Sequence, residues 1–153
     1  MQKVLCVLLL LLFLTGCVQV KGLHAPPIPV VKIGQEEVNV KKGGYEWKNS
    51  NLVGSGNMVV ADEPPFEHIL DTIIPTMKIH PNDSKQGYIH FDMAPNSYRI
   101  QSYHNLEAHG VEMNEERTTF TLPTQPGIHH YKLTAYFDQG YTNYYFAIEI
   151  LNE

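Results

Sequence analysis

The chain has 153 residues, with 11 lysine and arginine side chains against 16 aspartate and glutamate side chains, so its formal net charge is −5 at pH 7. A mildly acidic chain without a basic run is poorly suited to bind nucleic acid or anionic lipid headgroups through charge. Its length predicts one domain with a sizeable hydrophobic core and is too short for two domains of ordinary size.

The amino-terminal segment has the pattern of a secretory signal. A single basic residue, Lys3, precedes the apolar run Val4–Leu14, and the small pair Thr15-Gly16 follows it before Cys17. This run is too short to span a bilayer. We therefore expect residues 1–16 to be a signal peptide.

The tetrad Leu14-Thr15-Gly16-Cys17 resembles the lipobox of bacterial lipoproteins, of the type found in Gram-positive bacteria. The resemblance implies cleavage before Cys17 and a diacylglyceryl thioether on its sulfur. Acyl chains such as palmitate would then hold the protein on the outer face of the cytoplasmic membrane. Each buried methylene contributes about 0.8 kcal/mol, so two chains hold firmly where one is marginal. The alternatives are a plain secretory peptide or a helix that stays in the membrane.

Cysteine usage limits the chemistry of the expected mature domain. The other cysteine, Cys6, lies inside the predicted signal peptide, and Cys17 would carry the lipid. The domain would then contain neither a thiol nor a disulfide. Thiol nucleophiles, cysteine zinc sites and disulfide stapling are therefore not expected.

The rest of the chain divides into a tether and a domain. Residues 17–29 are predicted to be the lipidated cysteine and a tether, since three prolines favour an extended spacer. Residues 30–153 are predicted to fold, because short β-branched and aromatic runs alternate there with Gly, Pro, Asn and Asp. Prolines on both sides restrict one predicted helix to Glu67–Ile74. The predicted strands are Val30–Ile33, Val38–Lys41, Tyr45–Lys48, Met58–Ala61, Thr76–His80, Gly87–Met93, Ser97–His104, Thr118–Leu122, His129–Phe137 and Tyr144–Leu151.

The last two predicted strands carry the clearest alternation of apolar and polar residues. In His129–Phe137 the odd-numbered positions from Tyr131 onward are apolar. In the final strand, Tyr144–Leu151, the even-numbered positions are apolar. Asp138-Gln139-Gly140 supplies a short turn between them, which predicts a hairpin. The inward residues are predicted to be Tyr131, Leu133, Ala135, Phe137, Tyr144, Phe146, Ile148 and Ile150.

The segment Leu122–Gly127, followed by Tyr131, resembles the loop that enters the penultimate strand of immunoglobulin-like and fibronectin-like domains. The resemblance implies an all-β, antiparallel β-sandwich in which Tyr131 forms a tyrosine corner. The cysteine and tryptophan hallmarks of antibody domains are missing, because no cysteine lies in the predicted domain and Trp47 lies near the amino terminus.

A second resemblance rests on Gly44-Tyr45-Glu46-Trp47 and Ala61-Asp62-Glu63-Pro64-Pro65. These are similar to elements of small uncharacterised lipoproteins and sensor ectodomains of Gram-positive bacteria. The resemblance implies an extracytoplasmic module and no activity. Alternatively, Tyr45 and Trp47 simply cover one end of the core while Asp62 caps a turn.

No catalytic motif is evident in the sequence. Adjacent acidic residues such as Glu36-Glu37 lie in turn-like stretches, where a raised carboxyl pKa is not expected. Five serines lie outside any nucleophile motif, and no glycine-rich loop follows a strand to hold phosphate. We therefore expect neither an enzyme nor a cofactor. The serines are Ser50, Ser55, Ser84, Ser97 and Ser102.

Eight histidines suggest a metal site. Their spacing gives one local cluster, His104 and His109 with Glu107 and Glu112. The neighbours His129-His130 would point to opposite faces of their strand and could not chelate together. The alternative is that the histidines are ordinary surface residues.

If the last three long strands lie side by side, one outer sheet face mixes tyrosines with basic residues, as recognition surfaces do. Its residues are Arg99, Gln101, Tyr103, His130, Lys132, Tyr136 and Tyr145. The alternative is a plain sheet face that uses residues favourable to strands.

These patterns predict a membrane-anchored, non-catalytic binding module at the cell surface, with a protein or cell-wall partner and no nucleic acid. One rival is a metal-binding lipoprotein that uses the histidine and glutamate loop. Another is an inhibitory or structural domain that acts by strand addition at its edge.

Overall fold

The computed structural model describes residues 24–49, 56–73, 77–80, 85–104 and 106–152. The predicted signal peptide and Cys17 lie outside these ranges. Within them the chain forms eleven strands and one helix. In chain order they are β1 (Val30–Ile33), β2 (Glu36–Val38), β3 (Lys41–Asn49), β4 (Asn57–Ala61), α1 (Phe66–Thr72), β5 (Met77–Ile79), β6 (Gln86–His90), β7 (Ser97–His104), β8 (Glu107–Gly110), β9 (Thr119–Thr121), β10 (Gly127–Phe137) and β11 (Gly140–Ile150).

The strands form two sheets. The smaller sheet has the order β2-β1-β6-β9, and the larger has the order β4-β3-β11-β10-β7-β8. Neighbours in both orders pair antiparallel, whereas β5 runs parallel to the end of β11. The predicted all-β architecture with antiparallel sheets is confirmed.

Residues from both sheets meet in one hydrophobic core, so the domain is a sandwich. The Phe120 ring of the smaller sheet lies edge-on to Tyr131 of the larger sheet, with 5.6 Å between ring centroids. Trp47 is fully buried, and its ring packs edge-to-face with that of Phe137, with 5.4 Å between the ring centroids. Tyr45 packs against the same core, as predicted. Large aromatic side chains contribute most to such a core because each removes a large apolar area from water.

The carboxy-terminal hairpin forms as predicted. β10 and β11 pair along their whole length, from Gly127 opposite Ile150 to Phe137 opposite Gly140. Gly140 has a φ of +148°, and a Cβ there would overlap the carbonyl oxygen of Glu46 on β3. Glycine is therefore required both by the turn and by the close approach of β3.

Most strand bounds differ from the predictions by one to four residues, and two differences change the strand pattern itself. The predicted strand Val38–Lys41 is a junction, because β2 ends at Val38 and β3 begins at Lys41. Strand β8, Glu107–Gly110, was not predicted, since its exposed Glu-Ala-His-Gly sequence has low β propensity. It forms because β7 offers an edge with which it pairs.

Two further predictions need correction. A tyrosine corner requires a hydrogen bond from the tyrosine hydroxyl to the backbone. The hydroxyl of Tyr131 is buried and has no hydrogen-bond partner among the described residues, so these residues do not form the predicted corner. The end of the predicted tether packs on the sandwich: Pro26 and Pro29 are buried, and the Tyr144 hydroxyl donates to the carbonyl oxygen of Pro27.

Helix α1 covers part of the outer face of the larger sheet. Its Ile69, together with Ile73 just after its end, forms a second apolar cluster with Tyr145 and Ala147 of β11. Phe66 packs against the same cluster. Strand β11 is therefore buried on both faces, which explains its almost continuous run of apolar and aromatic residues.

Candidate functional site

The predicted recognition face is assembled in the expected order. Strands β7, β10 and β11 are neighbours, and the register places Tyr103 opposite His130 and Gln101 opposite Lys132. Lys132 is in turn opposite Tyr145. The seven predicted residues therefore do share one face of the larger sheet: Arg99, Gln101, Tyr103, His130, Lys132, Tyr136 and Tyr145.

Much of this face is not open to solvent. Tyr145 is 2% exposed beneath α1, so the expectation that it is an exposed tyrosine is wrong. The Tyr103 ring packs on Phe66 of α1, with 4.3 Å between centroids. His130 is half-buried and hydrogen-bonds to backbone groups of Leu70 and Ile73; its burial lowers its imidazole pKa. Sequence alternation could not predict this, because it does not say what covers an outer face.

A polar cluster fixes the segment before α1 to the same face. The Lys132 ammonium donates to both carboxylate oxygens of Glu63, at 3.2 and 3.3 Å. The Asn143 side-chain amide donates to Glu63 at 3.0 Å, and the Thr134 hydroxyl donates to Asn143 at 2.7 Å. Glu63 lies inside the Ala61–Pro65 motif, so this motif has a structural role here.

The remaining predicted residues lie where the sheet is uncovered. Arg99 is exposed, and Tyr136 is 41% exposed beside Tyr141. Gln101 is partly buried. The open part of the predicted face is thus narrower than expected, and it ends where α1 begins to cover the sheet.

The opposite, core-facing side of the larger sheet opens at one end into a pocket of about 420 Å³. We call it the histidine pocket. The register aligns Tyr131, Ser102 and His109 across β10, β7 and β8, and these three line its wall. His104, His129 and Glu112 also line it, and so do Thr121 at the end of β9 and the loop residues 122–125 that follow.

Backbone carbonyl groups hold two of the imidazoles. His129 Nε2 lies 2.8 Å from the carbonyl oxygen of Gln125, and His104 Nδ1 lies 3.2 Å from that of Ile128. The two rings stack, with centroids 4.7 Å apart and planes 21° from parallel. Burial is the main cause of a lowered pKa for His129, and nearby His104 and His109 lower it further. His129 is therefore favoured as the neutral imidazole.

Tyr131 is one of the residues that line the pocket. The residue is 1% exposed, and its ring stacks on Phe146 at 4.7 Å. Its hydroxyl lacks a hydrogen-bond partner among the described residues. Burial raises the pKa of Tyr131, so the hydroxyl keeps its proton and can donate it to an acceptor.

The predicted metal cluster is only partly brought together. His104, His109 and Glu112 line the pocket, whereas Glu107 is exposed on β8 and is not part of the lining. Within the described ranges, no three histidine, cysteine, aspartate or glutamate side chains are arranged to hold a metal ion.

His129 was not predicted as a site residue, although the sequence contains a signal for its position. Since side chains alternate along a strand, His129 must share the face of the inward Tyr131, and His130 must lie on the other face. The structure confirms this separation: His129 is in the pocket and His130 is under α1.

Comparisons with protein-family profiles, curated proteins and solved structures found no significant match to the chain. In the part of the chain that the structure describes, no helix has the length and apolar character needed to cross a membrane. Any functional interpretation therefore depends on the residues and geometry of the sandwich itself, above all on the histidine pocket.

Proposed function

We propose that the protein is a lipoprotein anchored through Cys17 on the outer face of the cytoplasmic membrane, where it acts as a non-catalytic binding module. The observation that carries this proposal is the histidine pocket, in which the Tyr131 hydroxyl has no hydrogen-bond partner among the described residues. Pockets of this size with a few convergent polar groups are typical ligand sites.

The energetics of Tyr131 support a ligand. A buried hydroxyl without a partner costs roughly 1–3 kcal/mol, because it has lost its hydrogen bonds to water. A ligand that accepts a hydrogen bond from Tyr131 regains part of that free energy on binding. The stacked His104–His129 pair lines the same pocket and offers a flat surface and polar nitrogens to such a ligand.

We further propose that the sandwich is of the immunoglobulin-like or fibronectin-like type. Two features support this assignment. Strands β7, β10 and β11 are neighbours in the larger sheet, and the proline-containing segment Leu122–Gly127 leads from β9 into β10.

The anchor is tested by Cys17→Ala, with Cys6→Ala as the matched control. We expect Cys17→Ala to move the protein from the membrane fraction to the soluble or medium fraction and to abolish labelling by radioactive palmitate. Cys6→Ala, inside the predicted signal peptide, should stay in the membrane fraction. Membrane retention and labelling of Cys17→Ala equal to wild type would refute the anchor.

The binding site is tested by Tyr131→Phe, with Tyr136→Phe on the opposite, exposed face as its control. Each variant and the wild type are cross-linked on intact cells and, separately, sedimented with purified cell-wall sacculi. Losing one hydrogen bond of about 1 kcal/mol predicts about fivefold weaker capture by Tyr131→Phe. Equal capture by wild type and Tyr131→Phe, or loss in Tyr136→Phe alone, would contradict the pocket as the site.

A second candidate function, strand addition, is favoured by one observation. Strand β4 lies at the edge of the larger sheet and exposes Met58, Val59 and Val60, which are 64%, 38% and 56% exposed. An uncharged, apolar edge strand is a template for pairing with an extended segment of another protein.

Lysine substitutions separate this candidate from pocket binding. Val60→Lys places a charge on the β4 edge, and Ala108→Lys does the same on the opposite edge strand, β8. If a partner adds a strand at β4, cross-linking on cells should be lost in Val60→Lys and kept in Ala108→Lys. The reverse pattern, or capture unchanged in both variants, would rule out β4 as the contact.

A further inference from the structure

We infer that the protein forms a covalent cross-link within its own chain: an amide bond between the side-chain nitrogen of Lys132 and the side-chain carbonyl carbon of Asn143, made with release of ammonia. The reacting groups belong to the polar cluster of Glu63, Lys132, Thr134 and Asn143, which we call the Glu63 cluster. It lies on the other side of the larger sheet from the histidine pocket, so this inference is independent of the proposed function.

Strand register brings the two reacting side chains to the same place. Lys132 of β10 lies opposite Tyr145 of β11, and Thr134 lies opposite Asn143. Lys132 and Asn143 are therefore diagonal neighbours on the outer face of the sheet, a separation that a long side chain can span. Asn143 also lies where β11 shifts its register against β3, and such irregularities re-aim side chains.

One carboxylate contacts both the nucleophile and the leaving group. The Lys132 ammonium donates to Glu63 Oε1 and Oε2 at 3.2 and 3.3 Å. The amide nitrogen of Asn143 donates to the same Oε2 at 3.0 Å. A lysine nitrogen becomes a nucleophile only after it loses a proton, and a general base within hydrogen-bond distance can take that proton. Glu63 can therefore remove a proton from the attacking nitrogen and give one to the departing nitrogen.

Thr134 polarises the carbonyl group that is attacked. Its hydroxyl donates to Asn143 Oδ1 at 2.7 Å. The carboxylate of Glu63 only accepts, so the amide of Asn143 must turn its nitrogen to Glu63 and its oxygen to Thr134. Negative charge develops on Oδ1 when the carbonyl carbon is attacked, and a donor already aimed at that oxygen stabilises the charge.

The reaction balances without any further reactant. Glu63 takes a proton from the Lys132 ammonium, and the neutral amine attacks Cγ of Asn143, so that a C–N bond forms and the carbonyl electron pair moves to Oδ1. The carbonyl then re-forms and the bond from Cγ to Nδ2 breaks. The leaving nitrogen takes the proton from Glu63 and departs as ammonia. The surplus proton on the new amide nitrogen passes through Glu63 to ammonia, which leaves as ammonium. Each chain reacts once, so the step gives the protein no enzymatic turnover.

The surroundings limit the competing reaction with water. Asn143 and Thr134 are 5% and 4% exposed. The Lys132 nitrogen lies over the ring of buried Tyr145, 5.6 Å from its centroid. Excluding water from a reacting carbonyl group suppresses its hydrolysis. Because the chain has no cysteine after Cys17, an amide bond of this kind is a cross-link that the folded domain can make without a disulfide.

The test is the intact mass of the full-length protein, measured by mass spectrometry after denaturation. We expect the wild type to be lighter than its sequence requires by one ammonia molecule. Lys132→Arg keeps the positive charge but removes the amine, and Glu63→Gln removes the base, so both variants should keep the ammonia. Lys78→Arg is the matched control, since Lys78 pairs with Glu149 at 3.0 Å but is 66% exposed, and it should lose ammonia as the wild type does. Processing of the amino terminus is common to all four proteins, so their differences can be compared directly.

Peptide mapping locates the bond and needs only the wild type. Proteolysis and fragmentation should give one branched peptide in which the Lys132 nitrogen is joined to the Asn143 side chain. A wild type with the full mass and two separate, unmodified peptides would overturn the inference. Loss of ammonia that persists in Lys132→Arg would overturn it as well, because an asparagine that closes into a cyclic imide loses the same mass without any lysine.

Discussion

At the residue scale, two buried tyrosines show how a hydrogen-bond partner decides the role of a hydroxyl group. Tyr131 and Tyr144 are both almost completely buried in the larger sheet. The Tyr144 hydroxyl donates to Pro27, whereas that of Tyr131 finds no acceptor among the described residues. The first hydroxyl holds the start of the domain on the core, and the second is available to a ligand.

Replacing each tyrosine by phenylalanine should therefore have different effects on stability. Tyr144→Phe removes a partly buried hydrogen bond to the Pro27 carbonyl, so we expect the free energy of unfolding to fall by about 1–3 kcal/mol. Tyr131→Phe removes an unsatisfied group and should leave stability unchanged or raise it. Urea unfolding of both variants measures this. A loss in Tyr131→Phe as large as in Tyr144→Phe would show that the Tyr131 hydroxyl has a partner in the folded protein.

Tyr144 should also make the stability of the folded protein depend on pH. Burial raises its pKa above the ordinary value of 10.0. Below pH 10 the tyrosine is protonated in both states, and its contribution is fully present. Above pH 10 the unfolded chain loses the proton and the folded one keeps it, so stability falls, by up to about 1.4 kcal/mol per pH unit.

Urea unfolding between about pH 8 and about pH 11 measures this dependence. Above pH 10 the free energy of unfolding should fall less steeply with pH in Tyr144→Phe than in wild type. The same slope in both proteins would mean that Tyr144 ionises as readily in the folded state as in the unfolded state.

At the element scale, whether one face of a strand is buried or exposed depends on what packs against that face. β11 contributes Tyr144, Phe146 and Ile148 to the core, and its other face meets α1 through Tyr145 and Ala147. The helix itself is short and carries no side-chain hydrogen bond at its amino-terminal cap. A helix of seven residues is not stable alone, so its docking on the sheet is what maintains it.

The segment that leads into α1 makes a close approach that requires glycine on β3. A Cβ on Gly44 would lie 2.7 Å from the Cβ of Glu63 and 3.0 Å from its Cα. We expect Gly44→Ala to displace this segment and lower the free energy of unfolding by about 1–3 kcal/mol. Gly110→Ala on β8 is the control, because a Cβ there meets nothing within 4 Å. Thermal unfolding that is equally affected, or unaffected, in both variants would contradict the close packing.

At the scale of the whole molecule, the two sheets depend on each other for stability. Phe120 of β9 is 1% exposed and contacts Tyr131 and Phe146 of the facing sheet, at 5.6 and 6.1 Å between centroids. It also occupies the space above Gly87, where a Cβ would overlap its ring. One side chain thus joins the smaller sheet to the wall of the histidine pocket.

Phe120→Ala should therefore destabilise the entire sandwich. The lost apolar contact and the cavity left behind predict a fall of about 3–5 kcal/mol in the free energy of unfolding. Met58→Ala, at a side chain that is 64% exposed, should change it by less than about 0.5 kcal/mol. Denaturant unfolding followed by tryptophan fluorescence reports on Trp47 in the core. A small effect of Phe120→Ala would indicate that the two sheets unfold separately.

The histidine pocket could be predicted from the sequence only in part. Three residues of the predicted metal cluster, His104, His109 and Glu112, line the pocket, and they are close along the chain. His129 and Tyr131 come from a strand about 20 residues later, and their approach depends on the pairing of β10 with β7. Local spacing carries no information about such a contact, whereas alternation does show which face each residue takes.

The sequence by itself determined most of the strand pattern, the carboxy-terminal hairpin and its inward residues, because a two-residue period and a glycine turn are local properties of the chain. It also placed Arg99, Lys132 and Tyr145 on one face. Only the tertiary structure decided that α1 and the Glu63 cluster cover that face, and that the histidines converge on the core side. The reason is physical: burial and convergence depend on contacts between residues distant in sequence, and the periodicity of one segment does not encode what packs against it.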